Sequence, residues 1–236
     1  MLGQSSQATA PAPTHADILR GSYGPYRANN DLLYYHLDIR VDPAKKFVSG
    51  KNTIQFRMLA DGTRIQLELY PTMHIDRIVK GKTLLKYTRD GGTVFVEFPK
   101  TLRKGHKYSI DFYYSGEPKE QGRFGCFTFK HDKEGKPWIT TACEGPGASV
   151  WWPNKDQWRD EVRSMRISVA VPNGLYTGKT SPIDGNPDNT PVYLGTSGTS
   201  GTAQAAVHVD WDGIVNHNAI PADYTIPSAS WPTTLA

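Results

Sequence analysis

The densest set of groups able to do chemistry lies in residues 141–172, TACEGPGASVWWPNKDQWRDEVRSMRISVAVP, which hold a carboxylate at Glu144, three tryptophans and a charge cluster. A loop of this kind set on strands is a usual carrier of binding groups, because a rigid scaffold fixes its geometry. Taken by residue type alone, Glu144 reads as a loop carboxylate accepting hydrogen bonds from neighbouring backbone N–H groups. Trp151, Trp152 and Trp158, with Trp138, read as a ligand platform for a sugar or peptide, or as rings sealing a domain interface. Either use is sensible, since one indole can bury roughly 200 Å². Asp156, Asp160 and Glu161 alternate with Lys155, Arg159 and Arg163, a pattern of a solvated ion-pair network rather than a glycosidase acid/base pair.

Several chemistries are missing from the 236 residues: there is no HExxH helix, no nucleophile elbow and no phosphate loop. The seven histidines never stand in close pairs, so they read as strand-face or surface residues and no metal ligand is assigned. No catalytic residue is assigned either. Cys126 and Cys143 are too few for a disulfide framework or a zinc ribbon. A hairpin around KHDKEGKP brings their sulfurs near cross-strand register, which leaves a bridge and two buried thiols both open, with the thiols preferred.

The elements that must position these groups have a period of two. Residues 33–41, 47–58, 64–70, 73–79, 93–98 and 107–114 alternate apolar with polar side chains and are rich in β-branched and aromatic types. They read as strands with one wet face. Turn pairs such as Asp42-Pro43, Asp61-Gly62, Asp90-Gly91 and Ser115-Gly116 punctuate them, and no segment of helical period is long enough for a βαβ crossover. The expected fold is all-β, an antiparallel sandwich or saddle of several sheets. Gly50, inside a strand pattern, marks a bulge or bend.

Composition agrees with a globular chain: 38% of residues are hydrophobic and the mean hydropathy is -0.52. No apolar run reaches the roughly 18 residues of a membrane span. The net charge of +4 divides unevenly, since residues 1–180 carry all 27 Lys and Arg against 18 acidic residues, and residues 181–236 carry five acidic residues alone. The basic residues are interleaved with acidic ones, which argues against a nucleic-acid footprint. Residues 1–25 lack a secretory signal and read as a flexible lead-in. Export, periplasmic or extracellular, is favoured over the cytoplasm. Residues 181–236, rich in Gly, Ser, Thr and Pro, read as a weakly ordered tail foreign to the parent fold.

One further signal lies in the order of weak motifs. LDIRVDPAKKFVSGKNTIQF, RIQLEL and TLRKGHKYSIDFYYSGEP, followed by TACEGPGASVWWPNKD and MRISVAVP, occur in that succession. This series resembles the amino-terminal β-domain of the aminopeptidase N family of zinc metallopeptidases, to which leukotriene hydrolase also belongs, over residues 31–175. The family closes this domain with T-x-x-E-x-x-x-A-R, then Pro, Asp and a strand ending in Val-Pro. Thr141, Glu144, Ala148, Pro153, Asp156 and Val171-Pro172 match, allowing one inserted residue. Ser149 replaces the family's Arg, and Gln157-Trp158 replace Glu-Pro, which implies a divergent subfamily.

The resemblance implies that residues 26–180 form a substrate-anchoring domain, with Glu144 and Ala148 as substrate-binding positions. There Glu144 binds the α-amino group of a peptide. An α-ammonium carries three donors and a full charge, and an acceptor-only carboxylate matches it. The implied partners are a catalytic zinc domain outside this chain and a peptide amino terminus, with zinc as a cofactor of the complete enzyme only. Trp151, Trp152 and Trp158 would then pack against that domain. A non-enzymatic β-sandwich module, binding peptide, glycan or protein through the tryptophan loop, is the alternative.

Overall fold

The computed structural model describes residues 12, 14–120, 125–131, 135–143, 147–157, 159–160, 162, 164–172, 177–178, 193–194 and 202–210. Two short helices, α1 (His15–Gly21) and α2 (Pro25–Ala28), precede the strands β1 (Asn30–Asp42), β2 (Phe47–Met58), β3 (Gly62–Glu68), β4 (Met73–Lys80), β5 (Thr83–Leu84) and β6 (Lys86–Asp90). β7 (Thr93–Leu102), β8 (Lys107–Gly116), β9 (Cys126–His131), β10 (Pro137–Ala142), β11 (Ser164–Pro172), β12 (Thr177–Gly178), β13 (Tyr193–Leu194) and β14 (Thr202–Asp210) follow. The fold is all-β, as the period-two segments require. α1 is the exception to the expected lead-in, and Pro25 at its first turn starts α2 where a missing N–H costs nothing.

The large sheet has the order β14-β11-β1-β2-β8-β4-β5 and a second sheet the order β3-β7-β6. Pairing is antiparallel throughout except between β1 and β11, which run parallel. The tail region thus supplies β14, paired along the whole of β11.

The core is the apolar set between these two sheets. Leu37, Ile54, Phe56, Ile110 and Phe112 of the large sheet face Ile65, Leu67, Val94, Val96 and Phe98 of the small one, all buried. The rings of Phe56 and Phe98 lie 6.2 Å apart. Each such side chain contributes about 1.5–3 kcal/mol on leaving water, so the sandwich is held by its middle.

Two expectations change here. The β1–β2 ladder runs unbroken through Gly50, opposite Ile39, and its irregularity falls at Leu32/Tyr34 instead. Gly50 is required by close approach, because a Cβ there would collide with the Asp38 carbonyl oxygen and sit 2.8 Å from Ile39 Cα. β3 is not wet on one face: its burial extends over both, so Gln66 and Glu68 are as enclosed as Ile65 and Leu67. The face that alternation assigns to solvent is covered by the helical segment and the loop described next.

Cys126 and Cys143 are joined as a disulfide across the open end of the β9–β10 hairpin. The preference for two free thiols is therefore corrected. Cys143 follows directly on Ala142, the cross-strand partner of Cys126, which is why the sulfurs meet.

Candidate functional site

The loop between β10 and β11 is built on a buried polar frame that fixes residues 147–160 against β3 and the start of β1. Glu68 and Asn154 form a two-way backbone bridge, Glu68 N to Asn154 O at 2.7 Å and Asn154 N to Glu68 O at 3.0 Å. Tyr70 N donates to Ser149 O at 2.8 Å, extending the attachment by one more bond. The loop thus borrows the free edge of β3. A backbone edge left unpaired in the interior would be costly, so each bond settles two polar groups at once.

Glu68 is the hub of the side chains. Its carboxylate pairs with Arg27 Nη2 at 2.6 Å, accepts from Arg27 Nε at 3.1 Å and Gln66 Nε2 at 3.0 Å, and accepts from the Asp156 backbone N–H at 2.8 Å. Arg27 reaches the other way, donating from Nη1 to the Arg20 and Ser22 carbonyls, both at 2.6 Å. One ion pair thereby ties the helical segment, β3 and the loop together. Burial pushes the Glu68 carboxyl above its ordinary range, while Arg27 and the donors from Gln66 and Asp156 pull it down.

Asp156 turns its carboxylate toward the start of the loop. Ser149 Oγ donates to it at 2.5 Å, and Arg20 lies 3.5 Å away on the solvent side. Gly147, with φ near 82°, backs directly onto this carboxylate, where any Cβ would strike Asp156. Only glycine meets both conditions. Gly147 N also donates to the Cys143 carbonyl at 3.0 Å.

At the far end of the loop Lys155 is fully enclosed. Its Nζ donates to the Asn30 carbonyl at 2.8 Å and forms an ion pair with Asp160, which accepts in turn from Leu32 N at 3.2 Å. Lys155 N donates to the Tyr35 hydroxyl at 2.9 Å, and Asn52 Nδ2 to the Pro153 carbonyl at 2.9 Å. Burial lowers the Lys155 ammonium despite Asp160. The solvated charge network expected of this stretch is corrected by the Lys155–Asp160 pair, which is desolvated. Glu161 and Arg163 lie outside the described residues.

The sequence-predicted site residues are distributed unevenly. Glu144 and Trp158 lie outside the described residues, so only the flanks of Glu144 are placed. Ala148 opens a single 3₁₀ turn, Ala148–Val150, and its carbonyl accepts from Trp151 N and Trp152 N. Trp151 and Trp152 are 9% and 8% exposed. Trp151 packs on Phe127 at 4.9 Å, and Trp152 meets Tyr35 edge-on at 5.3 Å. Most of both indoles is thus covered by this chain's own rings. Trp138, on the hairpin, is 50% exposed.

Arg27, Gln66 and Glu68 are the members of the frame that residue patterning does not reveal. Gln66 and Glu68 stand at the polar positions of an alternating strand, and Arg27 in a stretch without period. Nothing in the sequence links Arg27 to Glu68, because the two stand 41 residues apart on a short helix and a strand whose polar positions look solvent-facing.

The fold and site together define an all-β domain that holds a loop against the edge of its smaller main sheet. Comparison with known proteins gives its family. The model of the Peptidase M1 N-terminal domain matches residues 32–173, and the chain belongs to this family. No curated protein matches the sequence. Among solved structures it is similar to a point variant of the M1 zinc metallopeptidase from Deinococcus radiodurans bound to a Tyr-Ser-Ala substrate. The TM-score is 0.56 at 17% identity, over 81% of this chain and 42% of that one. Yeast LTA4 hydrolase in complex with bestatin gives a TM-score of 0.55 at 12% identity, over 76% of this chain and 26% of that one. At such identities the likeness is one of fold, and the chain spans less than half the length of either.

The Deinococcus radiodurans relative is a zinc metallopeptidase, and zinc belongs to the complete enzyme of that kind. Among the described residues here, no group of three or more His, Cys, Asp or Glu could hold a metal ion. No helix among them is long and apolar enough to cross a membrane.

Proposed function

We propose that this domain anchors the amino terminus of a peptide substrate for a zinc aminopeptidase, with Glu144 supplying the carboxylate that binds the α-amino group. A catalytic domain completes the cleft, and Ala148 belongs to the same substrate-facing loop. The observation that carries this reading is the bracing on both sides of Glu144. Cys143 is bridged to Cys126, and Gly147 is seated on Asp156 with its N–H returned to the Cys143 carbonyl. Cys143 and Gly147 are thus fixed on either side of Glu144, which suits a group that must meet a ligand in one geometry.

The chemistry follows from charge. A carboxylate in a partly desolvated cleft meets an α-ammonium through charge-assisted hydrogen bonds worth about 1.5–3 kcal/mol, and a peptide without a free amino terminus forfeits them. Selection is then for a chain end rather than for a sequence.

The test is made in the protein that unites this domain with its catalytic partner, sought by reading the coding DNA beyond residue 175 in every frame for HExxH. There Glu144→Gln raises KM for aminoacyl substrates roughly 10- to 100-fold. An unchanged KM overturns the assignment. The chain by itself is expected to show no zinc-dependent turnover, and clear turnover would equally defeat the assignment.

A further inference from the structure

We infer that the Cys126–Cys143 bridge is a redox-sensitive clamp on the β9–β10 hairpin, so that a dithiol reductant loosens this hairpin while the two main sheets stay intact. Among the described residues β9 and β10 pair only with one another, forming a two-stranded sheet apart from the others. A lone hairpin is marginal in water, because it lacks neighbours to share the cost of ordering. Packing on the core and a constraint at its open end must supply what neighbouring strands would.

The bridge stands at that end. Cys126 is fully buried, and it adopts φ of 56°, the left-handed region that a non-glycine residue rarely occupies. Gly125 beside it has φ of 83° and leaves no room for a Cβ against Thr128. Such backbone persists where surrounding structure over-determines it, and the covalent link to Cys143 is the constraint at hand. The other attachments are non-covalent: Phe127, 2% exposed, joins the main core and lies on Trp151, Phe129 and Ile139 pack against that core, and a Thr128–Thr140 hydroxyl contact and the Gly147 N–H on the Cys143 carbonyl add to them.

The exchange is balanced by a dithiol. One thiolate of the reductant attacks the half-buried Cys143 sulfur, the S–S bond breaks, and Cys126 leaves as a thiolate that takes up a proton. The reductant's second thiol displaces Cys143 and closes its own disulfide, two electrons and two protons having passed to the protein. Cys126 then relaxes toward extended backbone. The consequence for peptide binding rests on the proposed role of Glu144, which follows Cys143 in sequence.

Amide hydrogen exchange on the whole chain tests the clamp, comparing oxidised protein, dithiothreitol-reduced protein and the Cys126→Ser, Cys143→Ser double variant. Reduction is expected to speed exchange in residues 126–131 and 137–142 at least about tenfold, with residues 47–58 and 107–116 unchanged. The double variant should match the reduced pattern and ignore the reductant. Unaltered hairpin protection, or loss of protection in every sheet together, overturns the inference, as does a double variant that still responds. Because exchange needs no peptide, failure here leaves the Glu144 assignment standing, and an unchanged KM for Glu144→Gln leaves the clamp standing.

Discussion

Arg27 and Glu68, 41 residues apart, meet at 2.6 Å with both side chains shut away from water. Removing one partner strands the other charge in the interior, which costs more than the pair itself contributes. Glu68→Gln is therefore expected to lower the unfolding free energy by about 3–5 kcal/mol, read from the urea midpoint. Replacing both, Arg27→Met with Glu68→Leu, should recover only part of the loss, because the Arg20 and Ser22 carbonyls, Gln66 and the Asp156 N–H lose their partners as well. A single variant within about 0.5 kcal/mol of the parent would show that the pair is not sealed as described.

Gly50→Ala forces a methyl group against the Asp38 carbonyl in the middle of the β1–β2 ladder. Overpacking of this kind typically costs about 1–3 kcal/mol. Thermal unfolding monitored by circular dichroism should show a lowered midpoint. A midpoint equal to the parent's would mean that the strands can part without penalty.

His36 gives stability a pH dependence. Its ring nitrogen contacts Ser168 Oγ at 3.0 Å, and burial first, then Arg166, lower its pKa from 6.5; Lys51 adds to the lowering, while Asp38 and Asp111 oppose it. The unfolded chain then takes up a proton near pH 6.5 before the folded one does, so stability falls as pH drops from 6.5 toward the lower folded value. His36→Gln should flatten the stability profile in the range just below pH 6.5. An identical slope in both proteins would remove His36 as its source.

Arg89 gathers the turn after β3. Its guanidinium donates to the carbonyls of Leu69 at 2.8 Å, Tyr70 at 2.6 Å and Met73 at 2.8 Å, one residue from the point where Tyr70 joins the loop at Ser149. A lysine supplies a point charge instead of a fork and cannot span three acceptors. Arg89→Lys should cost about 1–3 kcal/mol by chemical denaturation. A neutral result would mean that water serves these carbonyls equally well.

The strands were legible because their alternation is set by a single buried face. Residues 47–58 coincide with β2, and Met73 and Lys107 open β4 and β8 as their patterns indicate. β3 shows where that logic ends: alternation reports which side chains are polar, not whether a second layer covers them. Gln66 and Glu68 are enclosed by α1, α2 and the loop, elements distant in sequence. The helical residues 15–21 escaped notice for a related reason. Their order comes from docking, through Arg27 onto the Arg20 and Ser22 carbonyls and Gln66 onto the Leu19 carbonyl, rather than from any amphipathic stripe. The tryptophan loop was found by composition, but composition could not say that Trp151 and Trp152 spend their faces on Phe127 and Tyr35.

The single parallel contact in the large sheet governs where the polypeptide travels next. β11 starts opposite Tyr34, beside the Lys155–Asp160 pair, and finishes level with Arg40, at the opposite rim. β14 then retraces this path, its last residue Asp210 lying across from Ser164. The backbone is thereby carried from the remote rim back to the doorstep of the braced loop.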